Sequence, residues 1–434
     1  MTRLLRIVPT ARALLALALT LAVLAPSSRA ASPSTPDLER LTLPDARSLM
    51  IERNRELQLA RNATAGAEAD VTIAGARPNP SLTLGAGRIG GARDPDAGPL
   101  PKRVDTAVGV SQLFERGRKR EIRTEAAQYT ANAARREQVD VERQQRVALE
   151  SAYYDLVLAQ EKRLIAIETS GLFDKTIDAA RRRVQAGDLS RADLARLNVD
   201  ALRARNELQN VGLEEAKARV ALAYLMGVER DAARIHAAEA WPALAPTPGT
   251  IDLDRVIDRR PDVEAAQARL RAADKNRELA QSLRTRDVTA GVQYDRQPTD
   301  VVRNGLSFNV SVPLFTRYYF QGEIGRAEAE YDTAQTQLER VRAVALTEIS
   351  SAAAALAAAA DRVQRFREAL LAAAEQSADA AEFAYTRGAI GVMDLLDARR
   401  QLHAVRIDAA TALADYARAY SAWTAATEPP ATSP

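Results

Sequence analysis

Two carboxylates stand at matched places in this chain. Asp193 follows the turn-forming run Ala186-Gly187-Asp188-Leu189-Ser190, and Asp394 follows Arg387-Gly388-Ala389-Ile390-Gly391 about 201 positions later. A further acid, Asp397, comes one helical turn after Asp394. Acids so placed draw cations to an opening when several copies surround one axis. Otherwise they are helix-start acids favoured by the macrodipole, or simply solvated charges. Other chemistries lack material. There is no cysteine, which excludes disulfides and thiolate metal sites, and the only two histidines, His236 and His403, stand in different segments. No pattern of nucleophile and base points to catalysis, so neither an enzyme nor a cofactor is expected.

The acids begin helices that are the returning arms of hairpins. Small or apolar residues recur at spacings of three and four: Leu194, Leu197, Ala201, Ala204, Leu208, Val211, then Leu395, Ala398, Leu402, Val405, Ala409, Ala412. Such a seam faces a partner helix, and a glycine just before it is costly within a helix but suited to a turn, so Gly187 and Gly388 mark hairpin tips. The outgoing arms are equal. Phe114 to Gly187 and Phe315 to Gly388 both span 73 positions, and neither contains proline. At ~1.5 Å per residue each arm covers about 100 Å if continuously helical. The returning helices, Arg191 to Met226 and Val392 to Thr427, are half as long. The helix that opens each repeat, Leu43 to Ala76 and Ile251 to Leu283, supplies the rest, so two short helices stacked end to end match one long arm.

Between opening helix and long arm the period becomes two. Leu82, Leu84 and Ala86 alternate with Ser81, Thr83 and Gly85, and Val104, Thr106, Val108 and Val110 alternate with Asp105, Ala107, Gly109 and Ser111. The second half repeats this with Val288, Ala290, Val292 and Tyr294, then Leu306, Phe308, Val310 and Val312. Each strand is about ten residues, enough for a tilted strand to cross a bilayer, although β-hairpins on a soluble core share the pattern. Four strands cannot close a barrel, and open edges in lipid cost several kcal/mol per unpaired group, so a membrane role requires oligomers. Three copies would give twelve strands; the residues do not fix the number.

Met1 to Ala30 carries Arg3, Arg6 and Arg12, an apolar run from Leu14 to Leu24 and Ser28-Arg29-Ala30, which reads as a secretory signal peptide. Its removal takes four arginines and no acid from 60 basic and 57 acidic residues, which turns +3 into −1. Nucleic-acid binding thereby loses its compositional support. The expected divisions are the signal (1–30), a Pro/Ser-rich linker (31–42), repeat one (43–227), an equatorial linker (228–250), repeat two (251–427) and a tail (428–434).

Arg259-Arg260-Pro261-Asp262 with Ala265 and Ala266, Val312-Pro313-Leu314-Phe315 leaving the last strand, and the paired tips resemble the TolC, or outer-membrane factor, family of Gram-negative export ducts. Within it, Gln112-Leu113-Phe114-Glu115-Arg116-Gly117-Arg118-Lys119-Arg120 and Pro313-Leu314-Phe315 followed by Gln321-Gly322-Glu323-Ile324 are most similar to the CzcC-type ducts of heavy-metal efflux. The resemblance implies a mainly α protein with a membrane β-barrel: a homotrimer whose twelve-stranded barrel sits in outer-membrane lipid and continues as an α-barrel through the periplasm. It implies two partners, a periplasmic adaptor (membrane fusion) protein and an inner-membrane RND pump. The implied cargo is heavy-metal cations, with a multidrug or type I secretion duct as the alternative.

The resemblance also assigns residues. Asp394-Leu395-Leu396-Asp397 matches the family's constriction motif, Tyr385 matches a gate tyrosine with Asp193 as its acidic partner, and Ile390 replaces the usual arginine of that network. The tips, Gly187, Leu189, Ser190, Gly388 and Gly391, become the adaptor contact. Arg181-Arg182-Arg183 reads as a solvated face, or as a partner of Asp188 or Asp193, and the alanine run from Ser351 to Ala360 as a surface that lets helices approach closely. Two rivals remain. A periplasmic adaptor should carry one hairpin and a β-rich body, and a coiled-coil structural protein should lack the period-two segments.

Overall fold

The structure, a computed structural model, describes residues 37–90, 103–238, 241–244, 251–297 and 304–428. The expected signal peptide, the first half of the N-terminal linker, part of the equatorial linker and the tail beyond Glu428 lie outside the described residues. The chain divides into a Met1–Asp37 unit and a Leu38–Pro434 unit, and everything below belongs to the second.

Repeat one opens with α1 (Leu43–Arg53), where Thr42 Oγ1 caps the Asp45 amide, and α2 (Arg55–Gly75). The single helix expected from Leu43 to Ala76 is thus broken at Asn54, whose extended backbone (φ −61°, ψ 130°) stops one helix and caps the next. Strands β1 (Ser81–Gly90) and β2 (Arg103–Phe114) follow, then the long arm α3 (Lys119–Ala186) and the returning α4 (Arg191–Met226). Repeat two runs α5 (Leu253–Asp258), α6 (Pro261–Ser282), β3 (Val288–Arg296) and β4 (Asn304–Ser311). Its long arm is α7 (Gln321–Arg365), one π-helical turn (Phe366–Leu370) and α8 (Leu371–Thr386), and it returns as α9 (Val392–Thr427). The opening helix of repeat two is also broken, at Arg259 and Arg260, and β4 ends at Ser311 rather than at Val312.

The four strands form one antiparallel sheet in the order β1-β2-β3-β4. Its register decides which side chains share a face. Leu82 pairs with Val110 and Leu84 with Val108; Val108 meets Tyr294 and Val110 meets Val292; Val292 meets Phe308, Tyr294 meets Leu306 and Ala290 meets Val310. These large apolar residues therefore lie on one face, while Ser111, Gly291 and Asn309 lie in register on the other, which carries Leu113 at its helical end. Among the described residues nothing covers the apolar face: Phe308 is 76% and Val310 70% exposed.

At the sheet end the helices neighbour each other in the order α2, α3, α6, α7, and towards the tips as α4, α3, α9 and then α8 with the distal part of α7. The ends of the short helices meet beside the middle of the long arm. There Leu43, Ala46, Leu49 and Met50 of α1 pack with Leu149, Tyr153 and Leu156 of α3 and with Leu222, Ala223 and Met226 of α4. The segment expected as a linker up to Thr42 contributes too: Leu41 is fully buried and its amide donates to the His236 carbonyl (2.9 Å). Trp241 stacks on Tyr154 at 6.1 Å, which fastens the equatorial segment to the same place.

Among the described residues one helix, Gln321–Thr386, is long and apolar enough in composition to cross a membrane. It contains the alanine run Ser351–Ala360, whose one fully buried residue is Leu356. A run of methyl-sized side chains gives high hydropathy and a smooth surface for a neighbouring helix.

Candidate functional site

The tips begin with glycine. Gly187 (φ +87°) and Gly388 (φ +73°) both adopt the left-handed conformation that ends the outgoing arm, and an added Cβ would meet nothing within 4 Å at either. Gly391 differs from the expectation of a tight-turn glycine: its backbone is extended (φ −75°, ψ 163°), open to any residue, and it serves as the N-cap of α9.

Asp193 and Asp394 both occupy the third position of their helices and both complete a cap. Ser190 Oγ accepts from the Asp193 amide (3.1 Å) and donates to Asp193 Oδ2 (2.8 Å). In repeat two Gly391 has no side chain, and the Asp394 carboxylate accepts from the Gly391 amide instead (3.1 Å). Helix-start chemistry thus occupies one oxygen of each acid. Asp397 is 68% exposed and pairs with Arg400 on its own helix (2.7 Å). Arg400 also reaches Asp200 of the first hairpin, whose side chain is 11% exposed. That arginine joins the two hairpins and partly offsets the charge of Asp397.

An apolar cluster holds the hairpins in this relation. Phe173, Ile177, Ala180, Leu197 and Ala201 of repeat one enclose Val392 and Leu396 of repeat two, with Leu189 and Tyr385 at the margin. The seam residues Leu197, Ala201, Val211, Leu402 and Ala412 are all buried. Ser190 is exposed while Leu189 is half-buried, so these two neighbours present different surfaces.

Tyr385 finds a partner other than Asp193. Arg183 Nη1 donates to its hydroxyl (3.1 Å), with the guanidinium 5.7 Å from the ring centre, while Asp193 engages Ser190 and, at 3.9 Å, Arg196. Arg181 pairs with Asp178 (3.3 Å). The arginine run therefore divides between its own helix and the opposite hairpin. The signal for Arg183 was its place, four residues before one tip glycine, facing Tyr385 three residues before the other.

Farther along the hairpins a cleft of about 720 Å³ is lined by Thr169, Asp200, Arg400, His403 and Arg406 among others. Every one of these is engaged: Thr169 with His403 (2.8 Å), Arg406 with Glu168 (3.1 Å) and Arg400 with Asp200. Burial, and then the charge of Arg406, lower the pKa of His403. Among the described residues no cluster of three or more His, Cys, Asp or Glu side chains could hold a metal ion.

A family model described as Outer membrane efflux protein matches residues 46–228 and 253–427, which are the two repeats. The chain is 28% identical over 384 residues to the cobalt-zinc-cadmium resistance protein CzcC of Cupriavidus metallidurans, covering 85% of each chain. It is 25% identical over 368 residues to the pyoverdine export outer membrane protein OpmQ of Pseudomonas aeruginosa, covering 80% of this chain and 76% of that one. The fold is shared with the outer membrane protein VceC from Vibrio cholerae at a TM-score of 0.72 and 21% identity, over 89% of this chain and 95% of that one.

Proposed function

The chain belongs to the outer membrane efflux protein family, and from that premise we propose that it is the exit duct of a tripartite efflux system carrying heavy-metal cations. It is an outer-membrane channel that extends into the periplasm. One observation carries the duct reading: a four-stranded sheet with a single exposed apolar face and two open edges, which needs lipid on that face and another strand at each edge.

The edges differ in kind. One side of the chain presents β1, α2 and α4, and the other presents β4, α7 and α8. Contacts between unlike edges repeat around a ring, and three copies supply twelve strands. The helices at both edges carry exposed apolar residues, Leu202, Leu213 and Val220 on α4 and Val344, Leu346 and Phe383 on the opposite arm, which favours such a seating.

A metal cargo is supported by the similarity to CzcC along most of both chains; the similarity to OpmQ keeps an organic cargo as the second reading. In a trimer, Asp394 and Asp397 would ring the periplasmic entrance and attract cations, and the tips would meet an adaptor protein that couples the duct to an inner-membrane RND pump. Deleting the protein should sensitise its host to zinc, cobalt or cadmium; unchanged metal tolerance would contradict the cargo. In a planar bilayer, replacing Asp394 and Asp397 by asparagine should reduce cation selectivity, and less so at 1 M salt, where the Debye length is about 3 Å. Unchanged selectivity in an assembled channel would leave both as helix-start acids.

A further inference from the structure

The three segments that leave the helical end of the sheet carry exposed arginines. Phe114 at the end of β2 pairs with Val288 at the start of β3, and Ser311 at the end of β4 pairs with Thr289, so residues 115–118, 283–287 and 312–320 emerge together. Arg116, Arg118, Arg284, Arg286 and Arg317 are all exposed there. The nearby acids are already engaged, Glu115 by Arg123 (2.8 Å), Asp287 by Lys119 (2.8 Å) and Glu323 by the Tyr318 hydroxyl (2.6 Å). The side chains of Arg116, Arg284 and Arg317 have no ion pair among the described residues, and Arg286 lies over the Phe315 ring at 5.5 Å. Beside them Phe114, Leu314, Tyr318 and Tyr319 are exposed, so the apolar sheet face grades into an aromatic and then a cationic band.

We propose that this band binds the phosphate headgroups of anionic phospholipids in the leaflet on the periplasmic side of the outer membrane. The inference rests on the membrane reading of the sheet. Continuity argues for lipid: the arginines begin where the apolar face ends, at the depth where tyrosine rings and cationic side chains meet headgroups. Arg118 pairs with Glu125 at 3.8 Å, but the freedom of Arg116, Arg284 and Arg317 from acid partners among the described residues leaves their charge available to phosphate.

The test is reconstitution of the full chain into bilayers of phosphatidylethanolamine mixed with phosphatidylglycerol, followed by native mass spectrometry of the retained lipids. The wild type should retain phosphatidylglycerol above its share of the bilayer. Each of Arg116→Gln, Arg284→Gln and Arg317→Gln should lower that enrichment by about fivefold, while the assembled oligomer and its conductance persist. No enrichment in the wild type, or full enrichment in a triple variant that still assembles, would overturn the proposal. Should the triple variant fail to assemble, the single Arg284→Gln protein decides by the same readout. A wild-type chain that does not enter this bilayer would overturn the membrane reading itself.

Discussion

The two repeats break their opening helices at matched points and satisfy the breaks with different chemistry. In repeat one Asn54, 3% exposed, accepts from the Leu57 amide (3.1 Å) and donates to the Leu225 carbonyl (2.9 Å) and to Gln145 on the long arm (3.1 Å). In repeat two Arg260, 4% exposed, donates to both oxygens of Asp262 (3.1 and 2.8 Å) and to Glu348 on the other long arm (2.6 Å). A neutral amide and a guanidinium thus both tie a helix start to an arm midpoint, and Asn54 alone also reaches a helix end, at Leu225. Both breaks supply partners to their buried polar groups, neutral in one case and charged in the other, although Arg260 Nη1 is buried without a hydrogen-bond partner. Charge nevertheless leaves a trace. Burial alone would raise the pKa of Asp262, but pairing with Arg260 outweighs it and the pKa is lowered, while Arg260 is raised.

That contrast is breakable. Arg260→Ala strands Asp262 and should cost up to about 3 kcal/mol, the low end for a broken buried pair because Glu348 is half exposed. In the wild type the depressed pKa of Asp262 contributes stability above its unfolded value of about 3.9, which is lost as pH falls through the folded pKa. In the variant burial is opposed only by the charge of Arg143 and the Val263 amide, and protonation relieves it, so the two melting curves should converge on acidification. Asn54→Ala should cost about 2 kcal/mol, for a lost cap and unpaired groups, with the same deficit at every pH. A pH-independent deficit for Arg260→Ala would show that the joint depends on packing rather than charge.

The tips sharpen the comparison on a smaller scale. Gly187→Ala and Gly388→Ala should each cost about 1 kcal/mol, because both sit at positive φ with open space around them. Ser190→Ala removes a cap, also at about 1 kcal/mol. Gly391→Ser installs in repeat two the cap that repeat one already has; with φ −75° and an ordinary 3.5 Å contact to Asp394, it should gain a few tenths of a kcal/mol. Thermal unfolding of the four variants checks the series, and a loss on Gly391→Ser would mean the tips are less alike than their backbones.

Periodicity made most of this fold legible. The strand faces followed from Leu82, Leu84, Val108, Val110, Val292 and Phe308 alone, because a period of two admits one partition, and the returning helices began where the tip glycines and the apolar seam said they would. The joints were hidden. Asn54 sits in a run that reads as ordinary helix, and its role exists only once Gln145 and Leu225 come beside it. The Arg183–Tyr385 contact was hidden likewise, since local charge offered Asp188 and Asp193 and only docking of two distant hairpins brings Tyr385 close. Gly391 misled because glycine suggests positive φ, whereas here an extended N-cap leaves its freedom unused.

The central claim, that one face of the sheet meets lipid, has a direct test. The chain contains no cysteine, so single cysteines at positions 107 to 111 and 290 to 293 can be spin-labelled without background. In reconstituted protein, collisions with oxygen should peak at Val108, Val110, Ala290 and Val292, and collisions with a water-soluble nickel complex at Ala107, Gly109, Ser111, Gly291 and Gln293. Equal accessibility to both agents along each strand, without a period of two, would contradict the barrel and the duct built on it.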